Sequence, residues 1–101
     1  MPEDNRIHIK VDDPFARKLM ARYLGRRETD LVSLRSALEQ KDFSSIELTG
    51  HNLSGSGSIY GLDRISELGQ SLEDAAERRD CAAIGKFVDE LAVFIRDLKI
   101  S

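Results

Sequence analysis

The chain has 101 residues and a mass of 11.3 kDa, enough for one hydrophobic core and too few for two. Its 41% hydrophobic and 33% charged residues give an ordinary soluble profile, and repeated leucines among the charges favour helices over strands. A net charge of −3 without a basic block argues against nucleic acid as a partner.

One cysteine, Cys81, rules out an internal disulfide, makes no zinc site by itself, and suits a reducing cytoplasm. No apolar run approaches the ~20 residues of a membrane span, and the N-terminus lacks a signal-peptide core.

Residues 1–12 form a polar lead-in whose alternating Ile7, Ile9 and Val11 predict an extended segment lying against a helical domain over 13–101. Asp13-Pro14 reads as an N-cap followed by proline at the first helical position. Phe15, Leu19, Met20 and Tyr23 follow at helical spacing, and Gly25 is a point where this first helix bends or breaks. Leu31, Leu34 and Leu38 continue a seam to Gln40.

Asp42 is the expected cap of the next helix, which turns Phe43, Ile46, Gly50, Leu53, Gly57 and Tyr60 to one face before Gly61 stops it. Asp63 is the expected cap of a helix with an inner stripe of Ile65, Leu68, Gly69, Leu72 and Ala76. Asp80 begins the last, with Ile84, Phe87, Val88, Leu91, Phe94, Ile95 and Leu98 in three-four spacing. Short connections make consecutive helices antiparallel neighbours. The expectation is all-α: an up-and-down four-helix bundle with a short extra N-terminal helix.

Within that frame the stretch GHNLSGSGSIYG, Gly50 to Gly61, is unusual. On a helical wheel His51 lies about 140° from the core-facing Ile46, pointing to solvent. Its outer-face neighbours are Glu47, Leu48, Ser54 and Gly55, with Ser58 one turn further on. Leu48 is apolar on the side away from the core. Glycine in a helix costs about 1 kcal/mol relative to alanine; Gly50 and Gly57 can be repaid by close helix packing, whereas Gly55 is better explained by access to the ring. A neutral imidazole nitrogen is a nucleophile near physiological pH. A carboxylate holding the other ring N–H would fix its tautomer. Glu73, at the flank of the following helix's stripe, is the first candidate and Gln70 the second.

With these residues in place the chain resembles the histidine-containing phosphotransfer (HPt) domains. The family pattern places a leucine two residues after the histidine, a lysine at three, a glycine at four, a second glycine six further on, and later a leucine-glutamate pair. Here these are His51, Leu53, Gly55, Gly61 and Leu72-Glu73. Leu34, Leu38, Asp42 and the run Glu73-Asp74-Ala75-Ala76 to Asp80 share the family texture.

The resemblance implies a phosphorelay carrier. His51 would accept a phosphoryl group from an aspartyl-phosphate receiver domain or a histidine kinase, and pass it to a receiver. Glu73 would orient the ring, and Leu48, Gly55 and Ser58 would take part in binding. It further implies no cofactor of its own, with Mg²⁺ confined to the partner, and no nucleotide site. The cysteine usage suits a cytoplasmic protein, and the lack of a long exposed heptad seam suits a monomer. One position departs from the pattern: Ser54 stands where the lysine is usual. An exposed lysine there offsets phosphohistidine charge by about 1 kcal/mol, and a serine hydrogen bond is worth about 1 kcal/mol or less. Arg64, near the start of the next helix, is a partial substitute. The rival reading is a phosphotransfer-impaired module of the same fold that only docks a receiver or kinase.

Other motifs lead nowhere. GSGSIYG follows no strand and fails the GxGxxG register, Ser54 and Ser56 make no nucleophile elbow, and His8 has no comparable surroundings.

Overall fold

In the computed structural model, which describes residues 13–100, the chain forms four helices: α1 over Pro14–Glu39, α2 over Phe43–Ile59, α3 over Asp63–Glu77 and α4 over Cys81–Ile100. The expected lead-in, residues 1–12, lies outside the described residues.

Three aspartates set helix starts as their positions in the sequence require. Asp13 Oδ1 accepts from the Phe15 amide at 3.0 Å, ahead of Pro14. Asp80 Oδ1 accepts from the Ala83 amide at 3.0 Å. Asp42 takes two bonds from Ser45, its Oδ1 from the amide at 3.2 Å and its Oδ2 from the hydroxyl at 2.6 Å. The hydroxyl bond first and the amide bond second lower the Asp42 pKa below its usual value of 3.8. A lowered folded-state value means this cap is complete above the unfolded-state pKa and is lost as pH falls through the folded one.

Asp63 is not a cap. Leu62 occupies the N-cap of α3 with no side-chain bond, and Asp63 is the acidic residue of the first turn. The reason is the preceding turn, which buries Leu62 in the core at 1% exposure and leaves Asp63 facing the positive end of the helix dipole.

The three connections share one geometry. The amides of Asp42, Leu62 and Asp80 reach back to the carbonyls of Ala37, Gly57 and Ala75 at 2.8, 2.8 and 2.9 Å, the six-to-one bond of a Schellman ending. The residue before each is left-handed: Lys41 at φ 56°, Gly61 at φ 74° and Arg79 at φ 55°. Only Gly61 holds that conformation without a Cβ penalty. Lys41→Gly is therefore expected to raise stability by about 0.5–1 kcal/mol after the extra unfolded-chain entropy of glycine is counted. Arg79→Gly should gain less, because the Arg79 guanidinium lies 5.8 Å over the Phe43 ring and that contact goes with it. Thermal melting checks both, and a destabilised Lys41→Gly would refute the strain argument.

The separate N-terminal helix expected from Gly25 is absent from the described residues, where α1 is one continuous helix of 26 residues. A Cβ at Gly25 would meet nothing within 4 Å. Neither packing nor a turn calls for glycine there, so the flanking helix simply propagates through it.

The helices close in a ring. α1 packs on α2 and α4, and α3 packs on α2 and α4. The Tyr23 hydroxyl is 3.0 Å from that of Ser56, Arg35 Nη1 donates to Asp89 Oδ1 at 3.0 Å, and Arg64 Nη2 to Glu90 Oε1 at 2.8 Å. The core holds Leu34, Ile46, Leu53, Ile65, Leu72, Val88 and Leu91 among others, and no polar or charged side chain among the described residues is buried.

The α1 stripe differs from expectation at its start. Phe15 is 68% exposed and Leu19 37%. Antiparallel pairing through Tyr23 and Ser56 brings Leu19 level with the end of α2, so the first turn of α1 projects past it.

Candidate functional site

Helix α2 carries His51 on its outer face, four residues before a glycine in open space. The imidazole is 70% exposed, and its Nδ1 lies 3.4 Å from Glu73 Oε2 on α3. Glu73 is thus the carboxylate beside Nδ1, the nitrogen whose proton it would hold if the Nε2 lone pair is to serve a visitor. Glu73 is 22% exposed, well covered for a glutamate. Gln70, the second candidate, donates instead to Asp74 Oδ1 at 3.2 Å.

What brings Glu73 to the ring is a seam of glycines. A Cβ at Gly50 would stand 2.7 Å from the Gly69 oxygen and 2.8 Å from the Glu73 nitrogen. One at Gly69 would stand 2.5 Å from the Ser54 nitrogen and 2.6 Å from the Gly50 oxygen, and one at Gly57 would stand 2.6 Å from the Ser66 nitrogen. These distances are too short for any side chain, so α2 and α3 meet backbone to backbone. Residues next to the seam on either helix are thereby within reach of one another. Gly55 is different. Nothing lies within 4 Å of a Cβ there, so its missing side chain serves no contact inside the bundle and leaves space over the face that bears His51.

Leu48 is 62% exposed on that outer face. Ser54 is half-buried beside the seam, and Ser58 accepts a bond from the Ser66 hydroxyl at 3.4 Å. The structure adds a residue that the sequence reading missed: Ile59, 79% exposed. Leu48 and Ile59 are eleven residues apart and project within about 20° of each other on the helical wheel. That spacing was the available signal, masked by the position of Ile59 next to the helix end. Leu48, Gly55 and Ile59 make a flat apolar strip along the histidine.

Arg64 does not replace the lysine absent at position 54. It is nine residues from Glu73, about 13 Å along the helix axis, and is held by Glu67 Oε1 at 3.3 Å and Glu90 Oε1 at 2.8 Å. The α2 helix has no Lys or Arg from Phe43 to Ile59, so the surroundings of His51 on its own helix are neutral or acidic. Among the described residues, no group of three or more His, Cys, Asp or Glu side chains could hold a metal ion, and no helix is long and apolar enough to cross a membrane.

Comparison with known proteins gives the same direction. Residues 18–98 match the Hpt domain family. The chain is 26% identical over 89 residues to multistep phosphorelay regulator 1 of Schizosaccharomyces pombe, an alignment that covers 86% of this chain and 30% of that protein. No solved structure matches at a significant level. A four-helix bundle with an outward histidine, matched to one family over most of its length, belongs to the Hpt domains of phosphorelay signalling.

Proposed function

We propose that His51 is the phosphoacceptor of this domain. It takes a phosphoryl group from an aspartyl-phosphate receiver or from a histidine kinase and passes it to a receiver. With an aspartyl-phosphate donor, Nε2 attacks the phosphorus, the N–P bond forms as the P–O bond to the donor aspartate breaks, and the aspartate leaves as a carboxylate. With a kinase phosphohistidine, the bond broken is the donor's own N–P bond and its imidazole leaves. The Nδ1 proton stays on the ring and is held by Glu73, which offsets the positive charge that develops on the imidazole. The observation that carries this reading is the exposed ring with Nδ1 3.4 Å from Glu73 Oε2.

In this scheme Leu48 and Ser58 contact the partner, and Gly55 lets it approach. Mg²⁺ resides in the receiver, and the phosphoryl group comes from the partner rather than from a nucleotide held by the domain. It works as a monomer in the cytoplasm, where its free Cys81 stays reduced.

The test is direct. The protein is mixed with a labelled phosphorylated receiver, or with a kinase and ATP, and scored for acid-labile, base-stable phosphate. Label is expected on the wild type and none on His51→Gln. Label that persists in His51→Gln would end the assignment.

The absence of any cation on α2 supports a second reading, a module that docks a receiver or kinase without accepting phosphate. Binding without label would select it. The same absence sets a further expectation. Ser54→Lys should lengthen the phosphohistidine lifetime, or raise the phosphorylated fraction, by up to about fivefold, the equivalent of ~1 kcal/mol at an exposed site. An unchanged lifetime and fraction would show that local charge has little weight here.

A further inference from the structure

On the other side of α2 from Glu73, a cleft of about 430 Å³ opens between α1 and α2. Its size falls within the range of small-ligand sites, about 300–1,000 Å³. One wall is α1. From Pro14 to Arg27 this helix carries Arg17, Lys18, Arg22, Arg26 and Arg27 and no acidic residue, in a chain whose net charge is −3. These cations are scattered singly and in pairs along the sequence and become a group only on the folded helix.

The floor of the cleft is already satisfied. Tyr23 is 4% exposed, its hydroxyl bonded to Ser56. Its ring is stacked on Tyr60 at 4.0 Å between centroids and covered by the Arg27 guanidinium at 4.3 Å. Arg27 is in turn neutralised by Asp30 at 2.7 Å, so the one acidic side chain lining the cleft is taken.

Arg22 and Arg26 are not. Both line the cleft, both are exposed, and neither has an ion-pair partner among the described residues. At i and i+4 their side chains leave the helix about 5–6 Å apart on one face. Two guanidinium forks at that spacing suit a phosphate dianion, which accepts bidentate bonds from each. Facing them are Asn52, Thr49 and Ser56 of α2, neutral hydrogen-bonding groups, and the ring of Tyr60 just after its end, 37% exposed. An aromatic ring beside a phosphate-sized cationic pair, with an amide and hydroxyls opposite, has the make-up of a nucleotide site.

We propose that this α1–α2 cleft binds a nucleoside monophosphate, its phosphate on Arg22 and Arg26 and its base against Tyr60. The site is separate from His51, with Asn52 forming the lip between them, and does not rest on the phosphorelay assignment.

The experiment is a calorimetric or NMR titration of the whole chain with adenosine monophosphate and, separately, with inorganic phosphate. Saturable binding of the nucleotide is expected, with shifts at Tyr23, Asn52 and Tyr60, and weaker binding of inorganic phosphate. Arg22→Ala with Arg26→Ala should weaken the nucleotide at least tenfold. Arg22→Lys with Arg26→Lys, which keeps the charge and loses the forks, should fall between. Arg22 and Arg26 are both exposed, and circular dichroism will verify that the variants fold. Binding should persist in His51→Gln. The proposal is overturned by no nucleotide binding, by binding that survives the double alanine variant, by inorganic phosphate binding as tightly as the nucleotide, or by loss of binding in His51→Gln.

Discussion

Gly69→Ala is expected to destabilise the domain by about 3 kcal/mol, at the upper end of the usual cost of overpacking. For a chain of this size that lowers the melting midpoint by roughly 12–24 °C. The added methyl carbon would stand 2.5 Å from the Ser54 nitrogen, 2.6 Å from the Gly50 oxygen and 2.8 Å from Leu53 Cβ. Two of those three are backbone atoms and the third is the stem of a buried leucine, so no flexible side-chain tip can yield. The helices must separate, and separation also draws Glu73 away from His51. Gly55→Ala is the matched control, because its methyl group meets nothing within 4 Å. It should stabilise α2 by up to about 1 kcal/mol through helix propensity alone, while slowing phosphoryl acceptance if the open face there is used by a partner. A Gly69→Ala protein that melts within about 4 °C of wild type would show that the seam closes for reasons other than steric need.

The second large effect is expected at Glu73. Glu73→Ala should slow phosphoryl acceptance by about 10-fold to 100-fold, the scale on which an orienting partner of a reactive histidine acts. Glu73→Gln should recover a good part of that, since an amide oxygen can still accept the Nδ1 proton although it supplies no charge. A ring-nitrogen NMR measurement gives an independent readout. In the wild type the neutral imidazole should favour the proton on Nδ1, and in Glu73→Ala the two tautomers should redistribute. Helical content and affinity for the receiver should stay constant in both variants. If Glu73→Ala transfers at the wild-type rate with its tautomer unchanged, the 3.4 Å contact is only a neighbouring pair of side chains.

Much of this was legible before the fold was known, and the reasons are local. Asp13, Asp42 and Asp80 announced their helices because an N-cap is chosen by the few residues beside it. The stripes of α3 and α4 were readable because their apolar residues repeat without interruption, and Ile65, Leu68, Leu72, Ile84, Val88 and Leu91 are all buried. The misreadings came where a local signal competed with something distant. Gly25 has the composition of a break, yet a helix held by α2 and α4 tolerates one glycine. Asp63 has the chemistry of a cap, yet the core's demand for Leu62 moved the helix start by one residue. The place of Arg64 depended on Glu90, a residue on another helix. The group formed by Arg22, Arg26, Tyr23 and Tyr60 exists only because α1 and α2 lie side by side, and no single window of sequence contains it. The site was different: His51 could be placed outward from α2 alone, and its approach to Glu73 followed from a hairpin between consecutive helices.

A joint made of main chain against main chain has no slack. With Gly50, Gly57 and Gly69 pressed into their neighbours, α2 and α3 cannot slide past each other by part of a turn without collision. The backbone that carries the imidazole is thus a fixed post, set in place before anything docks. On the proposed role of His51, whatever search is needed to line up an incoming phosphorus with its ring falls to the visitor, and partner choice would be a question of which domain can land in the stance the post permits.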